Sequence, residues 1–305
     1  MSLVAGTAAA APQKRRRHDG IAAYLFLSPW LLGLLVLTMG PLLTSFYLSL
    51  TNFDLLEIPQ WVGITNYQQM LGDDRFWTAM RVSLTYVALS VPLKLLVALA
   101  LAMLLNKGLK GLTLYRGVLY LPSLLGSSVA VALLWHRVFE GDGLANRLLS
   151  IFGISGPSWI SDPRYALGTL VLLATWQLGS PMIVFLAGLR QIPSELYDAA
   201  SVDGAYRLRQ FRRITLPMLT PVIFFNLIFQ TIEALKAFTQ AYVISAGTGG
   251  PTDSTLFFTL YLYQEAFTNF HMGYASALAW VLMSMIGSLT ALLFIGSRYW
   301  VHYDE

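Results

Sequence analysis

Six long apolar runs alternate with polar segments along this chain, at roughly 22–48, 77–105, 117–135, 165–189, 217–245 and 273–297. A bilayer-spanning helix needs about 20 apolar residues. The pattern therefore predicts an all-α integral membrane protein with six transmembrane helices. Pro41, Pro92, Pro122, Pro181 and Pro221 fall within or beside these runs. Membrane helices tolerate such prolines where neighbours satisfy the backbone groups they set free. The expected organisation is a disordered Ala-rich tail over 1–20, a first transmembrane helix with its outer loop over 21–76, and a core of five transmembrane helices over 77–300. Within that core, 192–217 forms a polar island between the fourth and fifth runs.

Composition agrees with a bilayer as part of the solvent. The chain of 305 residues is 56% hydrophobic and 12% charged, whereas soluble domains carry about 25% charged residues. Mean hydropathy is +0.59. The chain contains no cysteine, which excludes a disulfide framework, a thiolate zinc site and cysteine catalysis. His18, His136, His271 and His302 lie too far apart in sequence to form a metal-ligand pair. The net charge of +4 reads as topology, and no nucleic-acid partner is expected.

The basic run Lys14-Arg15-Arg16-Arg17 precedes an apolar stretch too long for a signal-peptide core, so the first run is expected to be a retained span. Lys and Arg concentrate in cytoplasmic loops. With the N-terminus inside, that set is Lys14 to Arg17, Lys107, Lys110, Arg116, Arg190, Arg207, Arg209, Arg212, Arg213 and Arg298. The opposite loops hold Asp54, Glu57, Asp73, Asp74, Glu140, Asp142, Asp162 and Asp253. The bias predicts both termini on the cytoplasmic side. In the third outer loop Phe257, Leu260, Tyr261, Tyr263, Gln264 and Phe267 recur at helical spacing. Two readings fit them: an amphipathic helix lying at the outer interface, or a short packed connecting helix.

The polar island reads IPSELYDAASVDGAYRLRQFRRITLP over 192–217. Pro193 disfavours helix before it, and Ser194 suits an N-cap. Glu195 and Asp198 then fall near a helix N-terminus, where negative charge is favourable. Ala199 and Ala200 keep the helix thin enough for close approach by another surface. Gly204 can take a positive φ and end it. A second helix carries Arg207, Arg209, Arg212 and Arg213.

Asp198-Ala199-Ala200, Gly204, Phe211, Ile214, Leu216 and Pro217 resemble the EAA loop of ABC importer permeases. The wider pattern is similar to the permeases of carbohydrate uptake: Trp135 to Phe139 with Gly143 and Asn146, Ala187 to Tyr197, Gly249-Gly250-Pro251, and Gly273 to Ala277. The resemblance runs from Ile21 onward. One departure is Asp198, which stands where the motif has glutamate. The resemblance implies a heteromeric importer in a bacterial or archaeal cytoplasmic membrane. A second homologous permease pairs with this chain, an ATPase dimer sits at the cytoplasmic face, and an extracytoplasmic solute-binding protein delivers a carbohydrate. The island becomes the coupling helix, with Glu195, Asp198, Ala199, Ala200, Gly204 and Arg209 meeting the ATPase. No cofactor is expected in this chain, since ATP and Mg belong to the partner. Consistent with that, there is no G-x-x-x-x-G-K-[ST] sequence.

Polar groups inside spans are costly and usually face a cavity or a partner. Gln177 and Ser180 share a helix face by i,i+3 spacing, as do Gln230, Glu233 and Lys236. The resemblance puts the substrate path beside these two spans, at Gln177, Ser180, Gln230, Glu233 and Ala237. Trp176 adds an aromatic platform for a sugar ring. Glu233 and Lys236 have a second reading, mutual neutralisation within the bundle. Arg81 and Lys94 in the second span read as snorkelling or pairing at a helix interface. The alternatives to a carbohydrate importer are an ion-driven secondary transporter, with Glu233 as proton carrier, and an ABC importer of a non-sugar solute. An intramembrane enzyme is disfavoured by the lack of any H-E-x-x-H or G-x-S-x-G sequence.

Overall fold

The computed structural model describes residues 18–107, 111–126 and 128–301. The run Lys14 to Arg17, Lys110 and His302 lie outside the described residues, as does the tail expected to be disordered, up to residue 17. Residues 18–20 already belong to the first helix, His18–Gly33. Among the described residues the fold is helical, apart from one isolated bridge between Thr51 and Trp61.

Four helical stretches are long and apolar enough to cross a membrane: Tyr24–Ser49, Asp74–Leu105, Thr220–Ile244 and Met272–Ser297. Two bent pairs bring the number to six if each counts as one span. Each bent pair falls in one of the runs expected to span, the third and the fourth. The third breaks after Leu125, and the stretches on either side, Leu114–Leu125 and Val129–Ile151, are bent by 102°. Gly126 sits at the break with φ 54 and ψ −151, a conformation open essentially to glycine. Ser128 then starts the next helix, its side chain accepting the Val131 N–H at 3.3 Å. The fourth breaks between Pro163–Trp176 and Gly179–Gln191 with a bend of 44°. Its cause is Pro181, which has no N–H for the carbonyl of Gln177 and whose ring crowds it. The fifth is interrupted too, between Thr220–Leu235 and Thr239–Ile244.

Asp74–Leu105 is the central helix and packs against Pro163–Trp176, Gly179–Gln191, Thr220–Leu235 and Phe258–Tyr263. Asp73 caps it, accepting the Arg75 N–H at 2.9 Å. Ala79, Ala98 and Ala102 are fully buried on it, and small residues let membrane helices approach closely. Two apolar clusters flank its midpoint. One, at the end that carries 192–217, joins Val91, Leu95 and Ala98 to Met182, Phe185 and Leu219. The other, at the opposite end, joins Phe76, Ala79 and Tyr86 to Trp135, Leu256, Phe258 and Tyr274.

That second end is tied by side chains. Asp73 Oδ2 accepts the hydroxyls of Tyr261 and Tyr274. Arg75 donates to Asp253 at 3.2 and 3.3 Å and to Gln264 Oε1 at 3.1 Å. Gly249 has φ 79, and a Cβ there would meet Leu256 Cβ at 2.9 Å. Gly273 lies so close to the backbone of Thr51 that any side chain would collide with its carbonyl. Of the two readings of 257–267, the packed connecting helix is the one observed. Phe257, Leu260, Tyr261 and Gln264 are buried against the core, while Phe267 stays exposed.

The first span, Tyr24–Ser49, behaves differently. Phe26 is 83% exposed and Leu37 77% exposed. Its last part, Gly40–Ser49, packs on Met272–Ser297. So large an apolar surface suits contact with lipid or another apolar partner.

Candidate functional site

A cavity of about 200 Å3 opens beside the midpoint of the central helix, between the two apolar clusters. Tyr86, Ser90, Val91 and Lys94 of that helix form one wall. Ser123 and Gly126 come from the broken third span, and Ala174, Gln177 and Ser180 from the broken fourth. Gln230, Glu233, Ala234, Ala237 and Gln240 complete it from the fifth.

The two helix breaks are joined here. Gln177 Nε2 donates to the Gly126 carbonyl at 2.7 Å, and the Ser180 N–H donates to Ser123 Oγ at 3.3 Å. Between them sits Gly179, where a Cβ would lie 2.8 Å from Tyr120 Cα. Only glycine lets these two segments cross so closely. Five residues singled out from sequence, Gln177, Ser180, Gln230, Glu233 and Ala237, thus line one cavity. Gln177 and Ser180 do so from opposite sides of a break, rather than from one helix face. Trp176 is not among the lining residues, and its ring packs 5.8 Å from that of Trp135.

The electrostatics include residues that sequence reasoning placed elsewhere. Glu233 Oε1 stands 3.5 Å from Lys236 Nζ, with side chains 65% and 58% exposed. Pairing of this kind matches the neutralisation reading, yet Glu233 also lines the cavity. Of the two readings of Lys94, snorkelling is not the one observed: it is half-buried on the cavity wall, where it feels the charge of Glu233 from another helix. Gln240 Oε1 is buried with no hydrogen-bond partner among the described residues. The signal for Lys94 was present, because a cation amid LSVPLKLLVALA is a functional-site candidate by cost alone. Its acidic neighbour lies far along the chain and is invisible locally.

A second site lies at the 192–217 end. The helix Ser194–Val202 starts one residue earlier than the capping expectation: Pro193, not Ser194, occupies the cap, and no side chain caps the helix. Its far end closes with Gly204 at φ 72, the Ala205 N–H bonding the Ala200 carbonyl at 2.8 Å and the Gly204 N–H that of Ser201 at 3.1 Å. This doubly bonded exit needs a left-handed residue after the cap. Glu195, Asp198 and Ala199 are exposed, Ala200 is half-buried, and Arg209 is exposed on the next helix. Ala200, Ala205 and Arg209 line a shallow groove with Asp203, Gln210, Arg213 and Ile214. Tyr197 and Thr215 share a hydroxyl hydrogen bond at 2.9 Å, and Gln210 Nε2 donates to Ser201 Oγ at 3.0 Å, fixing the two helices together. Val202 is 89% exposed beyond them.

The profile of the family described as binding-protein-dependent transport system inner membrane component matches residues 74–299. This chain belongs to that family. The match begins at the central helix and takes in both the cavity and the 192–217 segment. The permease is 50% identical over 304 residues to the probable ABC transporter permease protein YesP of Bacillus subtilis, covering 98% of each chain. It is 33% identical over 288 residues to the lactose transport system permease protein LacF of Rhizobium radiobacter, covering 93% of this chain and 96% of that one. The arabinooligosaccharides transport system permease protein AraP of Bacillus subtilis is 34% identical over 283 residues, with 90% and 89% covered. Among solved structures, a chain of a bacterial ABC transporter that imports alginate matches with a TM-score of 0.75 at 21% identity, covering 92% of the permease and 96% of that chain. A second, of the alginate transporter with its oligosaccharide-bound periplasmic protein, reaches 0.78 at the same identity. These likenesses support the helical fold. The permease is a multi-pass membrane component of a transport system.

Proposed function

We propose that this chain forms one half of the translocation path of an ATP-driven importer of a carbohydrate, an oligosaccharide, disaccharide or polyol. The observation that carries the reading is the cavity at mid-depth, walled by the spans on either side of the 192–217 segment. Its amides, hydroxyls and carboxylate are the groups that exchange hydrogen bonds with sugar hydroxyls. Relatives named for lactose and arabinooligosaccharide transport support the substrate class. Gln177, Ser180, Gln230, Glu233 and Ala237 line the path, and Trp176 sits behind it against Trp135.

The chain crosses the bilayer six times with both termini cytoplasmic, each bent pair making one crossing. A cavity of about 200 Å3 is smaller than the roughly 300–1,000 Å3 of ligand sites. A second, homologous permease supplies the facing wall, and exposed Glu233 and Lys236 point to that open side. An extracytoplasmic solute-binding protein delivers the sugar. Ser194–Val202 is the coupling helix held by one subunit of an ATPase dimer, through Glu195, Asp198, Ala199, Ala200, Gly204 and Arg209. Exposed Val202 and Tyr206 give it an apolar contact surface. ATP and Mg are bound by that ATPase. Closure of the ATPase dimer moves the coupling helices, and the path alternates between its two openings.

The test is a mild-detergent pull-down of the tagged chain from its native membrane, with mass spectrometry of what accompanies it. Recovery of an ATPase, a second permease and a binding protein, with ATP-dependent sugar uptake after reconstitution, is the expected result. A homodimer that transports without an ATPase would replace this reading with the ion-driven one.

A further inference from the structure

The segment 140–162 joins the end of Val129–Phe139 to the start of Pro163–Trp176. In the six-span topology proposed above, both of its ends lie where spans leave the bilayer on the outer side. Its helix, Leu144–Ile151, is held close to that level. Asn146 Nδ2 donates to the carbonyls of Gly141 at 2.9 Å and Pro157 at 3.1 Å, and Trp159 Nε1 donates to Asn146 Oδ1 at 2.7 Å. One side chain thus fastens the helix to the chain before and after it. At 3.6 residues per turn the helix has three sides. Ala145, Asn146 and Leu149 are half-buried against the rest of the fold. Arg147 and Ser150 form an exposed polar side. Leu144, Leu148 and Ile151, at i, i+4 and i+7, form an exposed apolar side that Phe152 extends. Ile151 is 74% and Phe152 78% exposed. Four large hydrocarbon side chains fixed in one sector are costly in water and mark a contact surface.

From this arrangement we infer that Leu144–Ile151 is an interfacial helix: its apolar side lies in the headgroup boundary of the outer leaflet, and its partner is phospholipid. This rests on the six-span topology and not on the identity of the solute. Three observations select lipid over a protein. The apolar side has no hydrogen-bonding side chain, whereas a protein contact of the non-obligate kind carries a polar rim and direct hydrogen bonds. Leu133 and Leu134 are exposed on Val129–Phe139, so exposed apolar surface continues along the chain from the span into the helix. Trp159, bonded to Asn146, packs its ring 5.8 Å from that of Tyr165, and these two residue types collect at membrane–water boundaries. Arg147 on the polar side is the kind of residue that interfacial helices present to headgroups. The contact sets the depth of the outer half of the third span, beyond its break at Gly126.

The chain contains no cysteine, so a single introduced cysteine is its only thiol once the subunits are separated on a gel. Leu148→Cys and Ser150→Cys are made in the whole transporter. In right-side-out membrane vesicles, a charged impermeant maleimide should label Ser150→Cys at least about tenfold faster than Leu148→Cys, whose side chain sits within the roughly 5–10 Å that such helices bury. In nanodiscs, an uncharged pyrene maleimide attached at position 148 should be quenched by phospholipid brominated on its acyl chains, and more strongly than one at position 150. Ile151→Cys repeats both measurements should Leu148→Cys assemble poorly. Equal labelling of the two sides would put the apolar side in water and overturn the inference. Protection at position 148 without quenching, or only after the binding protein is added, would put a protein there and overturn it as well. Labelling of Ser150→Cys in inverted vesicles alone would overturn the six-span topology together with the inference.

Discussion

Gln177 donates its Nε2 hydrogen to the carbonyl oxygen of Gly126 at 2.7 Å, and so ties the break in one span to the break in the next. Each break frees backbone groups that a continuous helix would have satisfied. In lipid such groups are costly unless protein or cavity water meets them. The two irregular points therefore stabilise each other at the wall of the cavity.

The crossing at Gly179 tests that arrangement. Gly179→Ala places a methyl 2.8 Å from both Tyr120 Cα and Ser123 Oγ. Overpacking of this kind costs about 1–3 kcal/mol. The thermal midpoint of the detergent-purified complex should fall, and uptake should fall with it. An unchanged midpoint would mean that the two spans do not cross as closely as described.

The exit of Ser194–Val202, the proposed coupling helix, makes a different prediction. A Cβ on Gly204 meets open space, so only its φ of 72 resists substitution. Gly204→Val imposes a left-handed conformation on a β-branched residue, at a cost of about 1–2 kcal/mol. The membrane fold has no contact there to lose. Thermal stability of the permease pair should therefore stay near wild type, while recovery of the ATPase in pull-downs drops severalfold. Full ATPase recovery would remove the coupling role from Ser194–Val202.

Glu233 lines the cavity and holds Lys236. Glu233→Ala should reduce ATP-dependent uptake at least about tenfold while subunit assembly stays intact, since the pair is exposed and exposed pairs contribute only about 0–1 kcal/mol to stability. Uptake at the wild-type rate over the same substrate range would assign the residue to charge balance alone.

Asp73 gives the opposite end of the molecule a pH dependence. Burial pushes its carboxyl up, and hydrogen bonds from Tyr261, Tyr274 and the backbones of Arg75 and Phe76 outweigh that, so it titrates below the usual value of 3.8. A depressed folded-state pKa contributes stability above the unfolded value and loses it as pH falls through the folded one. The stability advantage of wild type over Asp73→Asn should be full at neutral pH and shrink only below pH 3.8. Thermal unfolding of both proteins from neutral to acidic pH checks this. An advantage already lost well above that value would show that the carboxylate is not held by the two tyrosines.

Much of this architecture is legible in the amino-acid order. Apolar runs mark the membrane helices, and Gly204 marks where Ser194–Val202 ends. The breaks are less legible, because hydropathy stays high through Gly126 and through Leu178. Only Pro181 signalled one of them, and its effect depends on the carbonyl of Gln177 having another place to go. Membership of the cavity was readable for Gln230 and Glu233 as costly polar groups in a span. Lys94 stayed open between snorkelling and pairing because a long aliphatic stem can snorkel from many depths, and depth is a property of the bundle rather than of the run. Trp176 was drawn to the path by its chemistry, whereas its neighbour in space is Trp135. Such a pairing across 41 residues leaves no periodic trace.

The central helix supplies side chains to both apolar clusters and to the cavity between them. Its 32 residues make a beam of about 48 Å. A stiff beam that pivots near its middle swings its two ends in opposite directions. Under the proposed importer reading, room gained around Leu105 is room lost around Phe76, so a wall that opens toward one side closes on the other.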